Sequence, residues 1–99
     1  MARLGEVVEK IRSKNAGPFW VTVDIFCGSA AVFEMVQARL DTASVCHLVD
    51  ADPLTAKRFD IDELAVVKFS FIRTAVQGSR FDRDMHGAQL AVLFAEMDV

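Results

Sequence analysis

At 99 residues the chain has room for one domain, spanning 1–99, and for a limited core. Its formal net charge of -3 argues against a nucleic-acid surface, which needs a basic face. Apolar residues make up 53% of it, more than a thin core absorbs, and this points to apolar surface reserved for an interface.

Leu4, Val7, Val8 and Ile11 recur at helical spacing, with Glu6, Glu9, Lys10 and Arg12 outside that face. This predicts an N-terminal helix that ends near Asn15 and Gly17, ahead of Pro18. Phe19, Val21, Val23 and Ile25 alternate with Trp20, Thr22, Asp24 and Phe26, which predicts a strand with one strongly apolar face and one mixed face. Ser29 is placed to cap a helix carrying Val32, Phe33, Val36 and Leu40. Asp41-Thr42 caps a further short helix through Val45 and Leu48, and Asp50 to Pro53 reads as a turn.

Leu54 to Asp60 reads as a weak strand. Leu64 to Ala75 is a stronger one, with Val67, Phe69 and Phe71 on one face and Lys68, Ser70 and Ile72 on the other. Gln77 to Gly87 is polar and turn-rich, and long enough for a functional loop. Gln89 to Met97 is expected to form the final strand, apolar on both sides. The pattern predicts an α+β two-layer sandwich. A right-handed strand-helix-strand unit opens it, its ferredoxin-like sheet has three or four strands, and its helices lie on one face. The N-terminal helix is expected to supply the second helix of that layer.

Two polar segments hold the candidate chemistry. Arg12 to Gly17 has two readings. As a helix exit, its cations suit the macrodipole. As an anion site, Arg12 offers a fork to a carboxylate, Lys14 a point charge, and the backbone near Asn15 further donors. Asp82 to Gln89 places Asp82, Asp84 and His86 on alternate positions. Asp84 and His86 are candidate acid-base groups, and the competing reading is a solvated loop paired with Arg80 and Arg83. Asp24 is either a solvent-facing strand position or a site residue beside Arg12.

Cys27 and Cys46 stand far apart and read as buried reduced thiols, not a disulfide. His47 next to Cys46 has no second ligand pair, so no metal or other cofactor is expected. No long apolar stretch marks a signal peptide or a membrane span, and the expected compartment is cytoplasmic.

The run Arg12-Ser13-Lys14-Asn15-Ala16-Gly17-Pro18-Phe19, the strand Thr22-Val23-Asp24-Ile25-Phe26, then Ile72-Arg73, Gly78-Ser79 and Asp84-Met85-His86-Gly87-Ala88-Gln89 carry a family resemblance. In these motifs the chain resembles domain-of-unknown-function family 4387, over nearly its whole length. The resemblance implies a small bacterial ferredoxin-like protein that accompanies, or is fused to, a larger protein of the AtuA type (acyclic terpene utilisation). The setting it implies is organic-acid or acyl-CoA catabolism. Arg12, Lys14, Asn15, Asp24, Arg73, Ser79, Asp84 and Gln89 carry over from the family pattern, without catalytic roles. The chain departs from that pattern at His86, where members usually have Tyr, at Leu90, where a second Gln is usual, and across Thr42 to Asp60.

The leading expectation is an accessory binding subunit of an AtuA-like partner, with Arg12, Lys14, Asn15, Asp24, Arg73, Ser79 and Gln89 as binding residues. The alternatives are an autonomous hydratase, lyase or isomerase acting on a carboxylate, and a structural oligomer without ligand. Self-association is expected through Trp20, Phe26, Leu90, Val92 and Phe94. The two polar segments are expected to meet in space.

Overall fold

The computed structural model describes residues 2–17, 19–72 and 89–99. One short helix, α1 (Leu4–Val7), leads into β1 (Lys10–Asn15) and β2 (Trp20–Phe26). Two helices follow, α2 (Ala30–Arg39) and α3 (Thr42–Val49), then β3 (Lys57–Ile61), β4 (Val66–Ile72) and α4 (Gln89–Ala95). The four strands form one antiparallel sheet in the order β1-β2-β4-β3.

β2 and β3 both run antiparallel to β4, so they share a direction with β4 between them. With α2 and α3 as the crossover this is a split β-α-β unit, the heart of a ferredoxin-like sheet. The outer strand that pairs with β2 comes first in the chain, as β1, and not after the last helix. The fold is thus the expected α+β sandwich with its strand order permuted.

One face of the sheet is the core. Val23, Ile25, Phe69 and Phe71 meet Phe33 and Val36 of α2, Val45 and Cys46 of α3, and Phe94 of α4. The Phe69, Phe71 and Phe94 rings lie 5.7 to 6.3 Å apart by centroid and clamp α4 onto the sheet. Ser29 caps α2 by accepting from Val32 N at 3.2 Å, and Asp41 caps α3 by accepting from Ser44 N at 3.2 Å. Both caps are where the sequence predicts them.

The N-terminal helix is a correction. It stops at Val7, and the chain from Lys10 to Asn15 is a strand in full ladder with β2. Arg12, Lys14 and Asn15 therefore do not sit at a helix exit. Leu4 and Val8 are buried as the helical spacing requires. Beyond them, Ile11, Ser13 and Asn15 alternate with Lys10, Arg12 and Lys14, and six cross-strand pairs outweigh the helical period. Gly17, at φ 80°, supplies the left-handed position in the turn that follows.

The last element is the second correction: Gln89–Ala95 is a helix, not a strand. A short run apolar on all sides carries no clear period, and Leu, Ala and Gln favour helix. Phe94, expected on an association surface, is fully buried in the core. Ser13 Oγ of β1 accepts from Ala91 N at 3.0 Å, so the first turn of α4 is satisfied from a neighbouring strand. The second helix of the layer is thus α4 and not the N-terminal segment.

Candidate functional site

Side chains on the sheet face opposite the core follow directly from the strand registers. Lys14, Thr22, Ser70 and Lys57 stand in one row across β1, β2, β4 and β3. Arg12, Asp24, Lys68 and Phe59 form the next row, and Lys10, Phe26, Val66 and Ile61 the one after. Such rows lie about 7 Å apart along the strands. Among the described residues no helix packs on this face, because the helices all join the core on the other side.

The strands place Lys10, Arg12, Lys14, Lys57 and Lys68 on this face against a single carboxylate, Asp24. An acidic chain has thus gathered all four of its lysines and one arginine on one surface, where their fields add. Two of the lysines rest on aromatic rings. Lys10 Nζ lies 4.9 Å from the Phe26 ring centroid, and Lys57 Nζ lies 5.2 Å from that of Trp20. Among the described residues none of Arg12, Lys14 and Lys68 forms an ion pair; the one present there joins Arg58 to Asp60.

A cavity of about 490 Å³ opens on this face. Ala16, Trp20, Thr22, Lys57, Phe59, Ile61, Lys68 and Ser70 line it. The volume suits a small organic ligand, and the mix of apolar walls with a few polar groups is usual for such pockets. Thr22 is 6% exposed, and its hydroxyl has no hydrogen-bond partner among the described residues. An unmet buried hydroxyl is costly, and this one belongs to a residue that lines the cavity.

Of the sequence candidates, Arg12, Lys14 and Asp24 come together here, with Arg12 directly across the ladder from Asp24. Asn15 does not join them. It is half-buried on the core-facing side of β1, opposite Val21. Gln89 is the first residue of α4. Arg73, Ser79, Asp84 and His86 lie outside the described residues, as does the expected meeting of the two polar segments.

The residues that sequence reasoning missed are Lys57, Lys68, Thr22, Ser70, Trp20 and Phe59. The available signal was the mixed second face of β2 and β4, where Trp20, Thr22, Lys68 and Ser70 alternate with core residues. Lys57 and Phe59 had no comparable signal, since their strand was the weakest in the sequence.

Two further groups are structural. Arg58, half-buried on β3, donates to Gln37 O and Leu40 O at the end of α2, to Thr42 Oγ1 and to Asp60, and lies over the Phe69 ring. Cys27 and Cys46 are free and buried, as expected. Burial pushes both thiols up, and the charges of Asp52 and Asp41 push Cys46 further. Among the described residues no group of His, Cys, Asp and Glu is arranged to hold a metal, and no helix is long and apolar enough to cross a membrane.

The family model described as Domain of unknown function (DUF4387) matches residues 4–98. No curated protein and no solved structure matches the chain.

Proposed function

We propose that this chain, which belongs to the DUF4387 family, is a binding subunit that receives a small organic anion on the exposed face of its sheet. The observation that carries this reading is the segregation of charge. Lys10, Arg12, Lys14, Lys57 and Lys68 surround one carboxylate on a face that also holds a cavity. Such a face attracts carboxylates over distances of about a Debye length, roughly 8 Å at physiological salt.

The larger partner in this reading is an AtuA-like protein acting in organic-acid or acyl-CoA catabolism, which the family resemblance implies. Exposed apolar side chains offer surface for association, with that partner or with a second copy. Val92 is 62% exposed on α4, next to the partly exposed Leu93. The test is co-expression with an AtuA-like protein from the same gene neighbourhood, followed by size-exclusion chromatography with light scattering. Co-migration that Val92→Glu abolishes supports the accessory role, and separate migration at micromolar concentration overturns it. Turnover of an unsaturated or hydroxy acid by the purified chain alone would replace it with the reading of an autonomous hydratase, lyase or isomerase.

A further inference from the structure

The anion-binding reading leaves the ligand's chemistry open, and the cavity narrows it. Lys57 and Lys68 are diagonal neighbours on β3 and β4, and both line the cavity, whereas among the described residues no carboxylate does. Diagonal neighbours of this kind are about 7 Å apart, within reach of one bridging group held by two long side chains. Thr22 and Ser70 line the cavity beside them, and the Thr22 hydroxyl is buried without a partner among the described residues. Phe59, half-exposed, and Ile61 add apolar lining to the same cavity, with Trp20.

A phosphate site usually draws on free backbone N–H groups, in a glycine-rich loop or at a helix start. Here the floor is a β-ladder in which β2 and β4 are paired with each other throughout. Recognition must come from side chains, and two ammonium groups with two hydroxyls suit a compact monoanion. The apolar lining beside them asks for a hydrocarbon body in place of a sugar, and the rings of Trp20 and Phe59 favour a flat one that can lie against them.

We infer that the cavity between Lys57, Lys68, Thr22 and Phe59 binds a flat, conjugated or aromatic carboxylate. The carboxylate bridges the two ammonium groups and accepts from the Thr22 and Ser70 hydroxyls. Its body lies along Phe59 and Ile61. The inference rests on the anion-binding reading of this face but not on any partner protein, so it is tested on the chain alone.

The chain has one tryptophan, Trp20, which lines the cavity and whose ring carries the Lys57 ammonium. Its fluorescence therefore reports on the site without a label. The probe is sorbate, a flat dienoate, with hexanoate, 2,4-hexadienol, AMP and a single-stranded oligonucleotide as comparators. Sorbate is expected to give a saturable change, with hexanoate and hexadienol weaker by about tenfold or more. Lys68→Gln and Thr22→Val are expected to weaken sorbate by about tenfold and several-fold, while Arg39→Gln, on the exposed side of α2, changes nothing.

Absence of saturable change with sorbate, in protein shown folded by circular dichroism, overturns the inference. Equal binding of hexanoate or of the alcohol, or tighter binding of AMP or the oligonucleotide, overturns it as well. Failure here with successful co-migration would leave the accessory role intact, and the reverse outcome would leave the ligand site intact.

Discussion

Arg12 and Asp24 are direct cross-strand partners on the exposed sheet face, with Lys68 on the far side of Asp24 in the same row. Asp24 is thus flanked by cations on both sides, yet no ion pair closes on it among the described residues. The two residues should therefore matter little to stability and in opposite senses to anion binding. Arg12→Ala is expected to change unfolding free energy by less than about 1 kcal/mol, as exposed charges do. It should weaken carboxylate binding, whereas Asp24→Asn should strengthen it, and both differences should shrink at high salt. Titrations at two ionic strengths, with urea melts of each variant, check all of this. Equal affinities of the two variants and the wild type would remove the face from consideration.

Thr22 is predicted to trade stability for binding. Its hydroxyl is buried without a partner among the described residues, and Thr22→Val removes that polar group from a strand position that suits a β-branched side chain. The variant should be more stable by up to about 1 kcal/mol in urea denaturation. Destabilisation by a similar amount would mean that the hydroxyl is already satisfied.

Gly5 is required by close packing. A Cβ there would lie 2.8 Å from Ala95 Cβ and 3.1 Å from Ala95 O, where α1 crosses α4. That crossing also pairs the two ends of the described chain, through Leu4 N to Met97 O at 2.6 Å and Val99 N to Ala2 O at 2.9 Å. Gly5→Ala is expected to cost about 1–3 kcal/mol by overpacking. Adding Ala95→Gly should recover part of the loss, and thermal melts of the single and double variants measure the coupling.

Arg58 holds the end of α2 to the sheet edge. Its guanidinium donates to Gln37 O and Leu40 O, carbonyls left over at the helix terminus, and to Asp60 on its own strand. Arg58→Ala is expected to cost about 2–3 kcal/mol, as loss of charge-assisted bonds to partly buried acceptors does. Arg58→Lys should recover little, because one ammonium cannot span carbonyls and carboxylate together. Chemical denaturation of both variants tests this, and full recovery by lysine would reduce the role to charge alone.

Both cysteine thiols are pushed up by burial, Cys46 also by Asp52 and Asp41. The unfolded chain therefore gives up these protons first, near the ordinary thiol pKa of about 8.5, while the folded chain keeps them. Between the two values the unfolded state binds fewer protons, so stability falls as pH rises above about 8.5 and the contribution is fully present below it. Urea midpoints across that range should decline, and the slope should flatten in a Cys27→Ala, Cys46→Ala variant. Alkylation of the native protein should be slow at neutral pH and fast only after unfolding. Rapid native modification would contradict the burial.

The elements legible in the sequence are those whose local signals agree with their surroundings. β2 and β4 alternate because one of their faces is core, α2 and α3 begin at Ser29 and Asp41 because those side chains cap them, and Cys27 and Cys46 are apolar fillers. The sandwich itself follows from these elements. The two ends of the chain were decided by partners instead. Lys10 to Asn15 is a strand because β2 had an unpaired edge to offer it, and Gln89 to Ala95 is a helix because Phe69 and Phe71 receive Phe94 from one. The candidate site is tertiary for the same reason. Arg12 and Asp24 could be singled out one at a time, but Lys57 and Lys68 become neighbours only when β3 folds back on β4, and no spacing along the chain encodes which rows of a sheet will align.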